Sequence, residues 1–226
     1  MTRRVAVVQD ILSANDHLAT QNRQSLEAAG VFSVNLMASP GAGKTSLIER
    51  TAAALGPTMR LAVIDGDLAT SLDADRAAAA GAQAVQINTG GQCHLDAAMV
   101  QRGLVGIDLA RTDLLIIENV GNLVCPTAFD LGTRARVLVA SVPEGDDKPY
   151  KYPASYRGID VVLLNKIDLL PYVSFDRERF LHGLRVLNPD LTSFTVSCTT
   201  GEGLDAWFGW LRDGVASMQA ERERVG

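Results

Sequence analysis

"ASPGAGKTS" runs from Ala38 to Ser46, between the apolar run "VFSVNLM" beginning at Val31 and a helix-forming segment, Ser46–Leu55. Strand, glycine-rich turn, Gly43-Lys44-Thr45 and helix, in that order, form the layout of a phosphate-binding loop. Glycines let backbone amides turn inward around phosphate oxygens, and the positive end of the following helix adds to the attraction. On this reading Gly41, Ala42, Gly43, Lys44, Thr45 and Ser46 bind the phosphates of a nucleotide. Lys44 neutralises the β- and γ-phosphates and so takes part in catalysis, and the Thr45 hydroxyl ligates Mg²⁺. Ala38 stands where the usual pattern has its first glycine, but Gly41 and Gly43 keep the turn.

Further apolar runs suited to buried strands follow: "LAVID" from Leu61, "AVQI" from Ala84, "LLIIE" from Leu114, "VLVASV" from Val137 and "DVVLLN" from Asp160. Helix-like segments lie between most of them, including Leu72–Ala80 and Leu95–Leu104. Alternation of this kind predicts right-handed crossovers and a three-layer α/β P-loop NTPase, its mostly parallel sheet covered by helices on both faces. Asp10 to Ala29 reads as a polar helix stopped by Gly30. The expected organisation is therefore an N-terminal helical arm, 1–30, and a P-loop GTPase domain, 31–226.

Composition narrows the classes. The 226 residues are 47% hydrophobic and 21% charged, enough for one sizeable core. The net charge of −5 leaves no electrostatic footprint for DNA or RNA, so no nucleic-acid partner is expected. Three cysteines argue against a disulfide framework and for a reducing compartment. No run approaches the ~18 apolar residues of a membrane span, and no signal-peptide core follows Arg3 and Arg4. The expectation is a cytoplasmic protein with no membrane partner.

"LLNKIDLL" places Asn165, Lys166 and Asp168 at a strand end far beyond the phosphate loop. A carboxylate at Asp168 accepts from both N1–H and the exocyclic amine of guanine, donors that adenine lacks at those positions. The Lys166 stem can lie over the base plane, and Asn165 can tie the segment to the phosphate loop. "VSCTTGEG" adds Ser197 and Cys198, in a loop able to offer a backbone amide to the guanine oxygen. The nucleotide expected is GTP, or GDP after hydrolysis. Acids near the γ-phosphate come from "LAVIDGDLATSLDADR" and "LLIIENVGN". Asp67 and Glu118 are candidates to join Thr45 in holding Mg²⁺, Asp73 and then Asp67 to orient the attacking water, and Asp75 to cap or solvate a turn. Gly121 can swing a backbone amide toward the γ-phosphate.

"GGQCHLDAAM" sets Cys93 and His94 side by side, and "NVGNLVCPTAFD" places Cys125 just past the Glu118 strand. If both loops lie at one end of the sheet, the three converge. Two thiolates and an imidazole suit Ni²⁺, Zn²⁺ or Cu⁺ far better than Mg²⁺ or Ca²⁺. Three ligands leave one position open, or need a second copy of the chain to complete the set.

Taken together, "GVFSVNLMASPGAGKTSLIE", "DGDLATSLDADR", "INTGGQCHLDA", "IIENVGNLVCPTAFDLG", "PEGDDKPYKYP" and "LNKIDLL" resemble the HypB family of hydrogenase nickel-incorporation GTPases, from about Val8 to Trp210. The resemblance implies a GTPase that dimerises when GTP binds and helps deliver nickel to the large subunit of [NiFe]-hydrogenase, working with a HypA-like metallochaperone. It also implies that Cys93, His94 and Cys125 form a Ni²⁺ or Zn²⁺ site at the dimer interface, and that Lys151 reaches the nucleotide of the opposite subunit. Residues 1–30 hold one histidine, His17, and no cysteine, unlike members with a histidine-rich stretch or an N-terminal cysteine cluster. The alternative reading is a GTP-dependent interaction switch whose cysteines are structural. A general P-loop kinase or ATPase is disfavoured by "NKID".

Overall fold

A computed structural model describes residues 7–67 and 82–225 of the chain. Among these residues, seven strands form one sheet: β1 Phe32–Ala38, β2 Leu61–Asp67, β3 Gln83–Asn88, β4 Leu114–Gly121, β5 Ala135–Ser141, β6 Val161–Asn165 and β7 Thr192–Thr195. Their spatial order is β3-β2-β4-β1-β5-β6-β7, and every adjacent pair is parallel. The sheet grows outward on either side of β1. That is the topology whose strand ends open a ligand crevice.

Among the described residues, seven α-helices surround it: α1 Val7–Ala29, α2 Lys44–Leu55, α3 Ala97–Leu104, α4 Lys148–Lys151, α5 Pro153–Arg157, α6 Arg177–Leu187 and α7 Leu204–Val225. All seven residues of β1 are buried, because a parallel strand covered on both faces has no side for water. Odd and even positions divide between the layers. Leu36, Val137 and Leu163 pack with Leu47, Ile48, Trp207 and Leu211 of α2 and α7. On the opposite face, Ile64, Leu115 and Ile117 meet Leu26 of α1 and Val100 of α3, while Leu138 and Val162 meet Tyr156 and Phe180 of α5 and α6. A buried bond from Trp207 Nε1 to Thr51 Oγ1, 3.0 Å, joins α7 to α2.

The helix expected over Asp10–Ala29 begins at Val7 and ends where anticipated: Gly30 has φ +72°, and Val31 N donates to Leu26 O at 3.0 Å. Leu26 is 1% exposed within the core beneath α1 and α3, a burial worth about 1.5–3 kcal/mol for a side chain of that size. The segment Leu72–Ala80 lies outside the described residues. Strand β7 was absent from the sequence-based expectations, because "TSFT" is short and only partly buried.

Candidate nucleotide and metal site

The phosphate loop, the Asn165–Asp168 segment and both cysteine-bearing loops all follow the carboxyl ends of strands. Gly43 opens α2 with φ +104° and no side-chain cap, so the first-turn amides of that helix are not engaged by a capping side chain. Lys44 is buried at 9% exposure. Asn165, the last residue of β6, donates from Nδ2 to Ala42 O at 2.9 Å, and its Oδ1 accepts from Lys166 N at 2.8 Å and Cys198 N at 3.2 Å. Lys166 adopts the left-handed conformation, φ +63°, rare for a side chain of its kind, and its Nζ donates to Gly41 O at 2.6 Å. The Asn165–Asp168 segment is thus bound to the phosphate loop at two carbonyls.

Ser197 and Cys198 also make contacts within the protein. Ser197 N donates to Glu202 O and Cys198 N to Asn165 Oδ1, so both amides are already engaged within the protein. Ser197 Oγ instead donates to Asp168 Oδ1 at 2.5 Å, fixing one carboxylate oxygen of the residue that would read the base. Burial pushes the Cys198 thiol up to about 11, keeping it protonated.

Thr45 Oγ1 donates to Glu118 Oε1 at 2.9 Å, and Glu118 is 5% exposed. Hydroxyl and carboxylate oxygens held this close are hard donors of the kind Mg²⁺ takes, so the pair fits that ion. Only the backbone of Asp67, closing β2, is described. Asp73 and Asp75 lie outside the described residues. Ser46 is in the first turn of α2. Lys151 is exposed and pairs with Asp147 one turn earlier, which raises its pKa through that hydrogen bond.

From Glu118 the chain runs directly to the cysteines. A side chain at Gly121 would lie 3.3 Å from Pro40 Cα, so β4 ends against the phosphate loop. Asn122 bridges Ala38, donates from Nδ2 to Cys93 O at 3.4 Å, and accepts from Val124 N at 2.9 Å. Cys93 is exposed, with its Sγ 3.8 Å from His94 Nδ1. The His94 ring stacks on Phe129 at 4.0 Å, and burial lowers its pKa against the opposing pull of Asp96. Hydrogen bonding with Cys93 is the leading cause of a raised Cys125 pKa, with burial second. The three side chains therefore gather in one place. Even so, among the described residues no three His, Cys, Asp or Glu side chains are arranged to close around a metal ion.

One layer of this site escaped sequence reasoning. Asn119, 1% exposed, accepts from Leu95 N and Val120 N at 3.0 Å each and donates to Asn35 Oδ1 at 3.1 Å. It thereby connects β4 to the residue after His94. The available signal was a pair of asparagines inside otherwise apolar strands, where a polar side chain persists only with partners.

A family model described as "CobW/HypB/UreG, nucleotide-binding domain" matches residues 32–195. The hydrogenase maturation factor HypB of Azotobacter vinelandii is 50% identical over 210 residues, 93% of this chain and 69% of that protein. The chain belongs to the HypB family. Solved HypB structures share its fold. That from Archaeoglobus fulgidus has a TM-score of 0.85 at 39% identity, over 90% of this chain and all of the other. HypB from Helicobacter pylori, solved in complex with nickel, has a TM-score of 0.86 at 35% identity, over 90% and 96%.

Proposed function

We propose that the protein hydrolyses GTP to GDP and phosphate and uses that cycle to assist nickel insertion into [NiFe]-hydrogenase, acting as a homodimer formed when GTP binds. Asp168 reads the guanine edge, oriented by Ser197, while Asn165 and Lys166 keep that reader in register with Gly41–Ser46 around the phosphates. Lys44 neutralises developing charge, and Asp73, then Asp67, is the group that orients the attacking water. Mg²⁺, held by Thr45, Glu118 and Asp67, would supply charge neutralisation across the β- and γ-phosphates. Lys151 exchanges Asp147 for the nucleotide of the opposite subunit.

Nickel is cargo in this scheme. Cys93, His94 and Cys125 take it, or Zn²⁺ in its place, at the dimer interface, where a second copy completes a set that one chain leaves open. Partners carried over from the family are a HypA-like metallochaperone and the hydrogenase large subunit, met in the cytoplasm. The observation that carries the reading is the run from Glu118 to Cys125. It touches Thr45, Pro40 and Cys93 in turn, so ordering by the γ-phosphate at one end changes ligand geometry at the other. Coupling of this kind is reciprocal, so nickel also changes nucleotide affinity or dimerisation.

Equilibrium Ni²⁺ binding with GDP and with a non-hydrolysable GTP analogue tests it, beside Cys93→Ala and Cys125→Ala. The expected result is a nucleotide-dependent affinity or stoichiometry that both substitutions abolish. Binding indifferent to nucleotide and to both substitutions leaves the alternative, a GTP-dependent interaction switch with structural cysteines and no metal transfer.

A further inference from the structure

We propose that α1 braces the cysteine–histidine cluster, with Asn15 and Asn22 as positioning residues that hold its two loops at a fixed separation. The inference rests on the reading of Cys93, His94 and Cys125 as metal ligands.

The two loops reach the cluster from different parts of the chain: one continues through Leu95–Ala97 into α3, the other through Asp130–Leu131 into β5. Each asparagine bonds to both. Asn15 Oδ1 accepts from Ala97 N at 2.9 Å while its Nδ2 donates to Asp130 O at 2.8 Å. Asn22 Nδ2 donates to Ala97 O at 2.9 Å and to Leu131 O at 3.1 Å. The residues are 6% and 1% exposed. Seven positions apart, they lie two helical turns from each other on one face, and Ala19, wholly buried, sits between. Arg23 adds an ion pair to Asp130 at 2.7 Å, and a side chain at Gly132 would collide with Ala19 O.

The Asn22 amide has no freedom to flip. Its Oδ1 lacks a hydrogen-bond partner among the described residues, and turning it toward Ala97 O and Leu131 O would set three acceptors together. Its orientation is dictated by the two carbonyls it joins. A helix serving only to cover the sheet needs Leu26 and Ala19; it has no need of two buried amides that each connect the same pair of loops. Partners bonded to metal ligands themselves typically govern affinity by about 10–100-fold, and a brace on the backbone flanking the ligands is expected near the lower end of that range.

The test uses the full chain with Asn15→Ala, Asn22→Ala, Asn15→Asp and Arg23→Gln. Asn15→Asp keeps the bond from Ala97 N and loses the one to Asp130 O, so its effect should be intermediate. Three readouts are taken on variants that melt cooperatively. They are Ni²⁺ affinity, the thiolate-to-nickel charge-transfer absorption per bound ion, and the metal-free equilibrium in which Cys93 and Cys125 reduce oxidised glutathione to two glutathione thiols and become a disulfide. The expected result is a loss of about tenfold or more in Ni²⁺ affinity, an altered charge-transfer band and a weaker tendency to form the disulfide, with GDP affinity within twofold of the parent. Ni²⁺ affinity and disulfide equilibrium both within twofold would overturn the brace. If Asn22→Ala fails to fold, Asn15→Asp and Arg23→Gln decide the question. Cys93→Ala and Cys125→Ala run in parallel keep the two failures apart: nickel binding indifferent to them defeats the metal reading, whereas the glutathione equilibrium still reports on the brace.

Discussion

Asn165 and Cys93 each sit at or just beyond a strand end, in very different surroundings. Asn165 is 2% exposed and makes three bonds at 2.8 to 3.2 Å, tying β6 to the phosphate loop and to the loop at Cys198. Cys93 is exposed, its thiol 3.8 Å from His94 and its carbonyl reached by Asn122 at 3.4 Å. The contacts among the phosphate loop, Asn165–Lys166 and the loop at Cys198 are made in advance, so little ordering of those segments opposes binding. The cysteine half is held firmly at its roots and loosely at its thiol tips, as the proposed capture and release of an ion would require. On that proposal a rigid sensor and an adaptable holder are joined by the segment that runs from Glu118 to Cys125.

The sharpest way to break this contrast is to spoil the sensor alone. On the proposed reading, Asp168→Asn replaces the carboxylate that accepts from guanine with an amide that also donates, while Ser197 keeps a neighbour to bond. GTP and GDP affinity should fall by at least ~100-fold, since a site built around a substrate's donors discriminates strongly. Xanthine nucleotides, which offer an oxygen in place of the exocyclic amine, should gain in relative affinity. Competition binding measures both. Unchanged guanine preference would mean that the base is read elsewhere and that the pairing of Ser197 with Asp168 has another purpose.

The cysteines give the next largest effect. Cys198 lies in the closed half, with a thiol pushed up to about 11, whereas Cys93 is exposed. At pH 7 a pKa of 11 leaves roughly one thiolate in 10⁴ at Cys198, and burial also limits access to it. Iodoacetamide should therefore label exposed Cys93 at least about tenfold faster than Cys198 in the native protein. Labelling of Cys198 should rise about tenfold per pH unit up to about 11, because its protonated form is the one that burial favours. Site-resolved mass spectrometry follows the two rates. Equal rates at pH 7 would show that the loop at Cys198 opens as freely as the loop at Cys93.

Most strands were legible because a strand buried on both faces is a continuous apolar run, and the phosphate loop because its glycines and Lys44 cannot be exchanged without losing the chemistry. Strand β7 was hidden by the short, mixed composition of Thr192–Thr195 at a sheet edge. At the site, sequence nominated Cys93, His94 and Cys125 together, and closure of the three around an ion is not a property of one chain's described residues. The roles of Asn15, Asn22 and Asn119 were invisible for a different reason. Their partners are fixed by tertiary contact, up to 115 residues away, and a buried amide has no periodic signature of its own. Asn15, Ala19, Asn22 and Leu26 do share a helical stripe, so a polar residue repeated on an apolar face was the trace to follow.

Glycine substitutions compare the halves at the smallest scale. Gly43 has φ +104°, and a Cβ there would lie 2.4 Å from Asn165 Nδ2, an atom already committed to Ala42 O. Gly43→Ala therefore meets backbone strain of about 1–3 kcal/mol and also a clash with a side chain that cannot move without releasing Lys166 and Cys198. GDP affinity should fall about tenfold or more. Gly90, at the entrance to the Cys93 loop, has φ +63°, and a Cβ there would have nothing within 4 Å. Gly90→Ala meets only the left-handed cost, about 1 kcal/mol, and an adaptable loop relaxes part of that. Its effect on Ni²⁺ affinity should be no more than about fivefold, with GDP affinity unchanged. Measured side by side, the two alanines report how much slack each half possesses. A Gly90→Ala penalty as large as that of Gly43→Ala would mean that the cysteine loop is as tightly assembled as the phosphate loop, and the contrast between sensor and holder would have to be abandoned.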